Sequence, residues 1–267
     1  MNRIAALVSK EFADLRHNPG VFLPALLTAI ITIVLPFFVA LVVPAWTGEH
    51  LSNSGDLQVA MQMLRTQHVL DGLDPEAAVQ AWIFQQFLPL LVLAPVAASM
   101  SVAAYTVIGE KQARTLEPLL ATPITTFELL SAKVMGALVP AVGLTLACFA
   151  IYGLGILVLA HSGAARILVA PRSLGMVFVL GPLAALAALQ LAVCVSSRVN
   201  DARSAQQIGA LIILPLAGLL VGQLTGTVAL TGGWIAVIAG ALVVLNAGLM
   251  LVGIALFDRE SILTRWK

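Results

Sequence analysis

Six long stretches of this sequence contain no Asp, Glu, Lys, Arg or His: roughly 21–45, 81–108, 134–160, 173–195, 205–224 and 234–256. An α-helix needs about 20 apolar residues to cross the hydrocarbon of a bilayer, and each stretch has that length. Composition supports the same reading. The chain is 60% hydrophobic and 10% charged, with a mean hydropathy of +1.01, whereas soluble domains carry about 25% charged residues. A soluble fold of this length could not hide so much apolar surface. The expected architecture is an all-α integral membrane protein with six transmembrane helices, forming one domain over 1–267. The first apolar stretch follows about twenty polar and amphipathic residues and is long enough to span, so no cleavable signal peptide is expected.

The charges lie between the spans and orient them. With the N-terminus in the cytoplasm, the inner segments hold Arg3, Lys10, Arg16, Lys111, Arg114, Lys133, Arg198, Arg203, Arg259, Arg265 and Lys267. The outer segments hold Arg65, Arg166 and Arg172, which completes the 14 basic residues. That asymmetry places both termini in the cytoplasm by the positive-inside rule. Spans without ionisable groups argue against a proton-driven carrier or a voltage sensor, which place such groups at membrane depth. A sodium site built from carbonyls and hydroxyls stays open. Net charge is +1, so no field draws nucleic acid. Cys148 and Cys194 fall at different depths in apolar stretches and are expected to be packing residues rather than a disulfide. His17, His50, His68 and His161 all lie outside the spans, and no H-E-x-x-H occurs. No catalytic, cofactor-binding or metal-ligating set emerges, and an enzyme is not expected.

Three further features invite structure. Ile4, Leu7, Val8, Phe12 and Leu15 recur at helical spacing within residues 1–20, which predicts an amphipathic interfacial helix on the inner leaflet. The extracytoplasmic loop 46–80 holds Leu57, Met61 and Leu64 at helical spacing. It ends in Asp74-Pro75-Glu76, a cap, a first-turn proline and an acid that together predict a helix start leading into the second span. In the fifth span Gly218, Gly222 and Gly226 recur every fourth residue, a spacing that lets helices approach closely in lipid, as a dimer seam or within one subunit. Ala184, Ala188 and Ala192 make a similar ridge in the fourth.

The segment between the second and third spans is the most ordered of the loops: Glu110-Lys111-Gln112-Ala113-Arg114-Thr115-Leu116-Glu117-Pro118-Leu119-Leu120-Ala121-Thr122-Pro123. Thr115 can cap a short helix, Glu117 suits its first turn, and Pro118 is early enough to be tolerated. Leu116, Leu119 and Leu120 then share one face, and Pro123 ends the element. Ile124, Thr125, Glu128 and Leu129 match a capping box with its hydrophobic staple, which would launch the third span. Glu128 reads first as part of that cap. Lys133 reads as an anchor where the helix enters the headgroup region.

Glu110-Lys111, Thr115-Leu116-Glu117, Leu119-Leu120, Pro123, Glu128 and Lys133 together resemble the signature of the ABC-2 type permeases, the membrane subunits of one class of ATP-binding-cassette transporters. A weaker echo lies in Ala205, Pro215 and Gly218. Arg114 and Ala132 stand where that family often has glycine, a departure that bears on the subfamily. The resemblance implies six spans per subunit and an amphipathic N-terminal helix. It also implies a coupling helix in 109–125 that docks into a separate ATPase subunit, with Glu110, Thr115, Leu116, Glu117, Leu119, Leu120, Pro123 and Glu128 at that contact. No G-x-x-x-x-G-K-[ST] phosphate loop occurs in the chain, so ATP and magnesium are expected on the partner. A second permease subunit, identical or not, would complete the pathway in the cytoplasmic membrane of a prokaryote, with lipid as the other neighbour and no nucleic acid. Most members of the resembled family export. The competing reading is a non-energised channel or an assembly scaffold. The apolar spans suit a lipidic or amphipathic cargo at least as well as a hydrophilic one.

Overall fold

The computed structural model describes residues 23–48, 72–112, 125–196, 213–224 and 231–256, with isolated positions at 8, 9, 13, 204, 207, 208 and 211. The N-terminal amphipathic helix apart from Val8, Ser9 and Ala13, Leu57, Met61 and Leu64, the segment 113–124 and Gly226 lie outside these residues. Every regular element among the described residues is helical. Helix α1 runs Leu23–Phe37 and continues through a π turn, Phe38–Val42, into Val43–Thr47. Helix α2 is Pro75–Gln112 and α3 is Thr126–Leu159. Helix α4 starts as Pro171–Gly175, passes a π turn at Met176–Leu180, and continues as Gly181–Ser196. Helix α5 is described over Ile213–Leu224, and α6 is Gly232–Leu256.

Five of these are long and apolar enough to cross a membrane: Ala25–Thr47, Pro75–Ala103, Thr126–Leu159, Pro171–Ser196 and Gly232–Leu256. Within the fifth predicted span the described helix covers 12 residues. The helix start read at Asp74-Pro75-Glu76 is present. Pro75 opens α2, Glu76 lies in its first turn, and the Asp74 carbonyl accepts the Ala78 N–H at 2.9 Å. Two boundaries move outward from the expected spans. Helix α2 runs to Gln112, past the charge-free window that ends at 108, and α3 begins at Thr126, where the capping box at Thr125 and Glu128 placed its start, ahead of the window that opens at 134. A charged side chain ends an apolar window, but it does not interrupt a backbone ladder while the flanking residues still favour helix.

Both π turns end two residues before a proline. The Val43 N–H bonds the Phe38 carbonyl ahead of Pro44, and the Gly181 N–H bonds the Met176 carbonyl ahead of Pro182. Proline lacks the N–H and its ring crowds the carbonyl four residues back. The ladder widens by one residue there instead of kinking at an unmet carbonyl.

Helix α2 is the axis of the molecule: 83% of its most apolar stretch is buried, against 11% for α6. It packs most heavily on α4 and also on α1, α3 and α5, while α6 packs mainly on α4. The α2–α4 seam is made by small residues. Ala184 and Ala188 meet Val92, Val96 and Met100, and the Ser99 hydroxyl reaches the Ala185 carbonyl at 3.0 Å. Toward the far ends of α2 and α3, Phe37, Phe84 and Tyr152 form an aromatic cluster with centroids 5.0 to 5.9 Å apart. The buried Tyr152 hydroxyl donates to the Phe84 carbonyl at 2.8 Å. The connection after α3 turns at Gly163 (φ 94°), and its His161 N–H donates to Gln80 Oε1 at 2.9 Å, tying it to the start of α2. The outer faces are continuously apolar: Leu26, Ile30 and Val34 on α1, Ile151, Leu154 and Val158 on α3, and Val237, Val244 and Leu251 on α6 are all exposed. In lipid such faces need no cover.

Candidate functional site

The predicted site lies where α2 and α3, which pack side by side, are joined by 113–124. Glu110 falls in the last turn of α2, so it belongs to a helix and not to the connecting loop. Thr115, Leu116, Glu117, Leu119, Leu120 and Pro123 lie outside the described residues. On the other side the capping box is complete. Glu128 N–H donates to Thr125 Oγ1 at 3.2 Å. Glu128 Oε2 accepts from the Thr125 N–H at 2.8 Å and from its hydroxyl at 3.0 Å. Two orphan N–H groups at the helix start are thereby met, and the first turn of α3 is fixed where the chain leaves 113–124. The structure thus brings Glu110 and Glu128 to the two ends of the connecting segment.

Lys133 is not the surface anchor that its position suggested. It is 2% exposed and sits on the packed face of α3 with Leu129, Leu130, Gly136 and Ala137. Three of these neighbours, Leu129, Leu130 and Ala137, belong to a cluster with Val102 and Ala103 of α2 and Leu189, Ala192 and Val193 of α4. The only hint in the sequence is spacing: Lys133 falls four residues after Leu129 and three after Leu130, on their face of the helix.

Polar residues inside the bundle were also invisible as a set. Gln80, Gln85, Gln86, Ser99 and Ser101 of α2, Gln190 of α4 and Asn246 of α6 are buried. Asn246 Nδ2 bridges α6 to α4 by donating to the Leu183 carbonyl at 3.1 Å. Gln190 lines a narrow slot with Leu130, Val134, Val193, Cys194, Leu249, Met250 and Gly253. Cys148 and Cys194 are buried and form no disulfide, as expected, and the Cys194 thiol donates to the Leu249 carbonyl at 3.8 Å. Of the glycine ridge, Gly218 is exposed and a side chain there would meet nothing within 4 Å, so it serves no close contact with the described residues. Gly222 is half-buried.

Long apolar helices around a buried central helix, with a capped connection between the two longest of them, define a multi-pass membrane protein. The sequence profile of the ABC-2 family transporter protein matches residues 70–263, from just before α2 to beyond α6, and the chain belongs to that family. It is therefore a transmembrane transporter component. A search of curated proteins gives no match.

Proposed function

We propose that the chain is the permease subunit of an ATP-binding-cassette exporter. In this reading it has six spans with both termini in the cytoplasm, pairs with a second permease subunit, and is driven by a separate ATPase subunit in the cytoplasmic membrane of a prokaryote. One observation carries the proposal: the family match over 70–263 includes the segment 113–124, which joins the two longest described helices and carries Thr115, Leu116, Glu117, Leu119, Leu120 and Pro123 of the family signature. Residues 109–125 then form the coupling element. Leu116, Leu119 and Leu120 enter a cleft of the ATPase, Glu110, Thr115, Glu117 and Pro123 shape the contact, and Glu128 fixes the helix that receives the motion. ATP binding closes the ATPase pair, and the permease helices rock between inward- and outward-open states. Such a cycle requires ATP to bind the two states with different affinity. Gly218, Gly222 and Gly226 are placed on the seam with the second permease subunit, a role that suits the open space beside Gly218. ATP and magnesium sit on the ATPase partner.

Purification of the native chain under mild conditions tests this directly. A phosphate-loop ATPase is expected to copurify, and its hydrolysis should depend on the permease. Leu116→Asp and Leu120→Asp should abolish copurification while the spans stay inserted. An intact complex in both variants would remove the coupling role. Absence of any ATPase would favour the channel or scaffold reading.

A further inference from the structure

Gln190 of α4 is a polar side chain that its own fold does not use. It is 8% exposed, and no described residue donates to its Oε1. A buried acceptor without a donor gives up its hydration for no return, and leucine, of similar volume, would avoid that cost. Asn246 on the same α4–α6 seam has a structural task, because its Nδ2 ties α6 to the Leu183 carbonyl of α4. Packing alone does not account for glutamine at 190.

The slot that Gln190 lines does. Its other walls are apolar side chains of α3, α4 and α6, with Gly253 and Cys194, and the Cys194 thiol is spent on the Leu249 carbonyl. The free space is about 10 Å³, the least that admits one water-sized group. A water there would find one strong partner, where buried waters usually have two to four. A hydroxyl carried on an apolar chain needs only one acceptor, and its first carbons cover apolar lining that a water would leave bare. Gly253 keeps the space open: a Cβ there would stand 3.6 Å from both Cys194 Sγ and Leu130 Cδ1. Counted from the first residues of α4 and α6, Gln190 and Leu249 lie about 28 and 26 Å along their helices, close to the hydrocarbon thickness of about 30 Å. In the six-span topology the slot is therefore at the inner border between acyl chains and headgroups, the level at which the hydroxyl of an amphiphile rides.

We propose that this slot is a binding site for a single-chain amphiphile of the bilayer with a hydroxyl head. The hydroxyl donates to Gln190 Oε1, and the chain stays in the acyl layer. The site needs only this protein and the membrane, so it stands apart from the reading that an ATPase drives the chain.

The test uses the full chain in lipid nanodiscs, irradiated with a long-chain alcohol that carries a diazirine beside its hydroxyl. Peptide mass mapping reads the crosslinked residues. Labelling should concentrate on the slot residues Leu130, Leu249 and Met250. Leu157, which is 66% exposed on α3, reports ordinary lipid contact and should be labelled alike in every variant. n-Decanol should compete for the slot about tenfold better than its isomer methyl nonyl ether, which has the same atoms but no donor. Gln190→Leu should erase that preference. Gly253→Ala leaves Gln190 in place, sets a methyl in the slot at ordinary contact distance, and should bring slot labelling down to the Leu157 background. Equal competition by the alcohol and the ether overturns the proposal, as does a preference that survives Gln190→Leu. Slot labelling no higher than at Leu157 in the unaltered chain also overturns it, and leaves the slot to water.

Discussion

Gly155 shows how a single missing side chain shapes the aromatic cluster. A Cβ at this position would come within 2.5 Å of the Phe37 ring, so glycine is what lets α1 lie against α3 there. Gly155→Leu should push Phe37 from Phe84 and Tyr152 and destabilise the fold by about 1–3 kcal/mol, the usual cost of overpacking, read as a lower unfolding midpoint in detergent. Tyr152→Phe keeps the ring packing and removes only the bond to the Phe84 carbonyl, for a loss of about 0.5–1.5 kcal/mol. At the start of α3, Thr125→Ala should cost about 1 kcal/mol of helix stability. Glu128→Gln keeps an acceptor for the Thr125 N–H and should keep most of the cap. If Glu128→Gln nonetheless weakens capture of the ATPase, the carboxylate has a second task beyond the box.

Two helices carry small residues at the same spacing, and the structure treats them differently. Ala184, Ala188 and Ala192 are all buried, and the first two face α2, whereas Gly218 faces open space. Ala188→Leu should overpack the α2–α4 seam and lower the unfolding midpoint, while Gly218→Leu should leave the midpoint of the isolated chain in place. Any loss from Gly218→Leu should appear in assembly, measured by crosslinking or native mass. Spacing alone could not separate the two ridges, because it records what a helix offers and not what meets it. The same limit explains Lys133. Its charge marked the end of an apolar window, but its enclosure depends on residues about 30 and 60 positions away that only folding brings near. What could be read from the sequence was local: the helix start at Asp74-Pro75-Glu76, the Thr125–Glu128 box, and the extents of α1, α4 and α6 to within a few residues.

At the scale of the whole molecule, the central place of α2 means that its neighbours α1, α3, α4 and α5 all register against one helix. Motion of its loop end relative to its far end would therefore be felt by most of the bundle. The proposed topology predicts that Leu116→Cys reacts with a membrane-impermeant maleimide only from the cytoplasmic side and Arg65→Cys only from the opposite side. Reaction of both from one side would break the six-span arrangement. Helix α3 has 34 residues, about 50 Å at 1.5 Å each, against a hydrocarbon layer of about 30 Å. Its last turn ends in exposed Leu157, Val158 and Leu159, which belong among acyl chains, so the surplus length falls at the end where Thr125 caps the helix. In the proposed topology that end of α3 and the Gln112 end of α2 project past the hydrocarbon on the cytoplasmic side, so an ATPase subunit bearing on 113–124 would push on two long helices and not on the membrane surface.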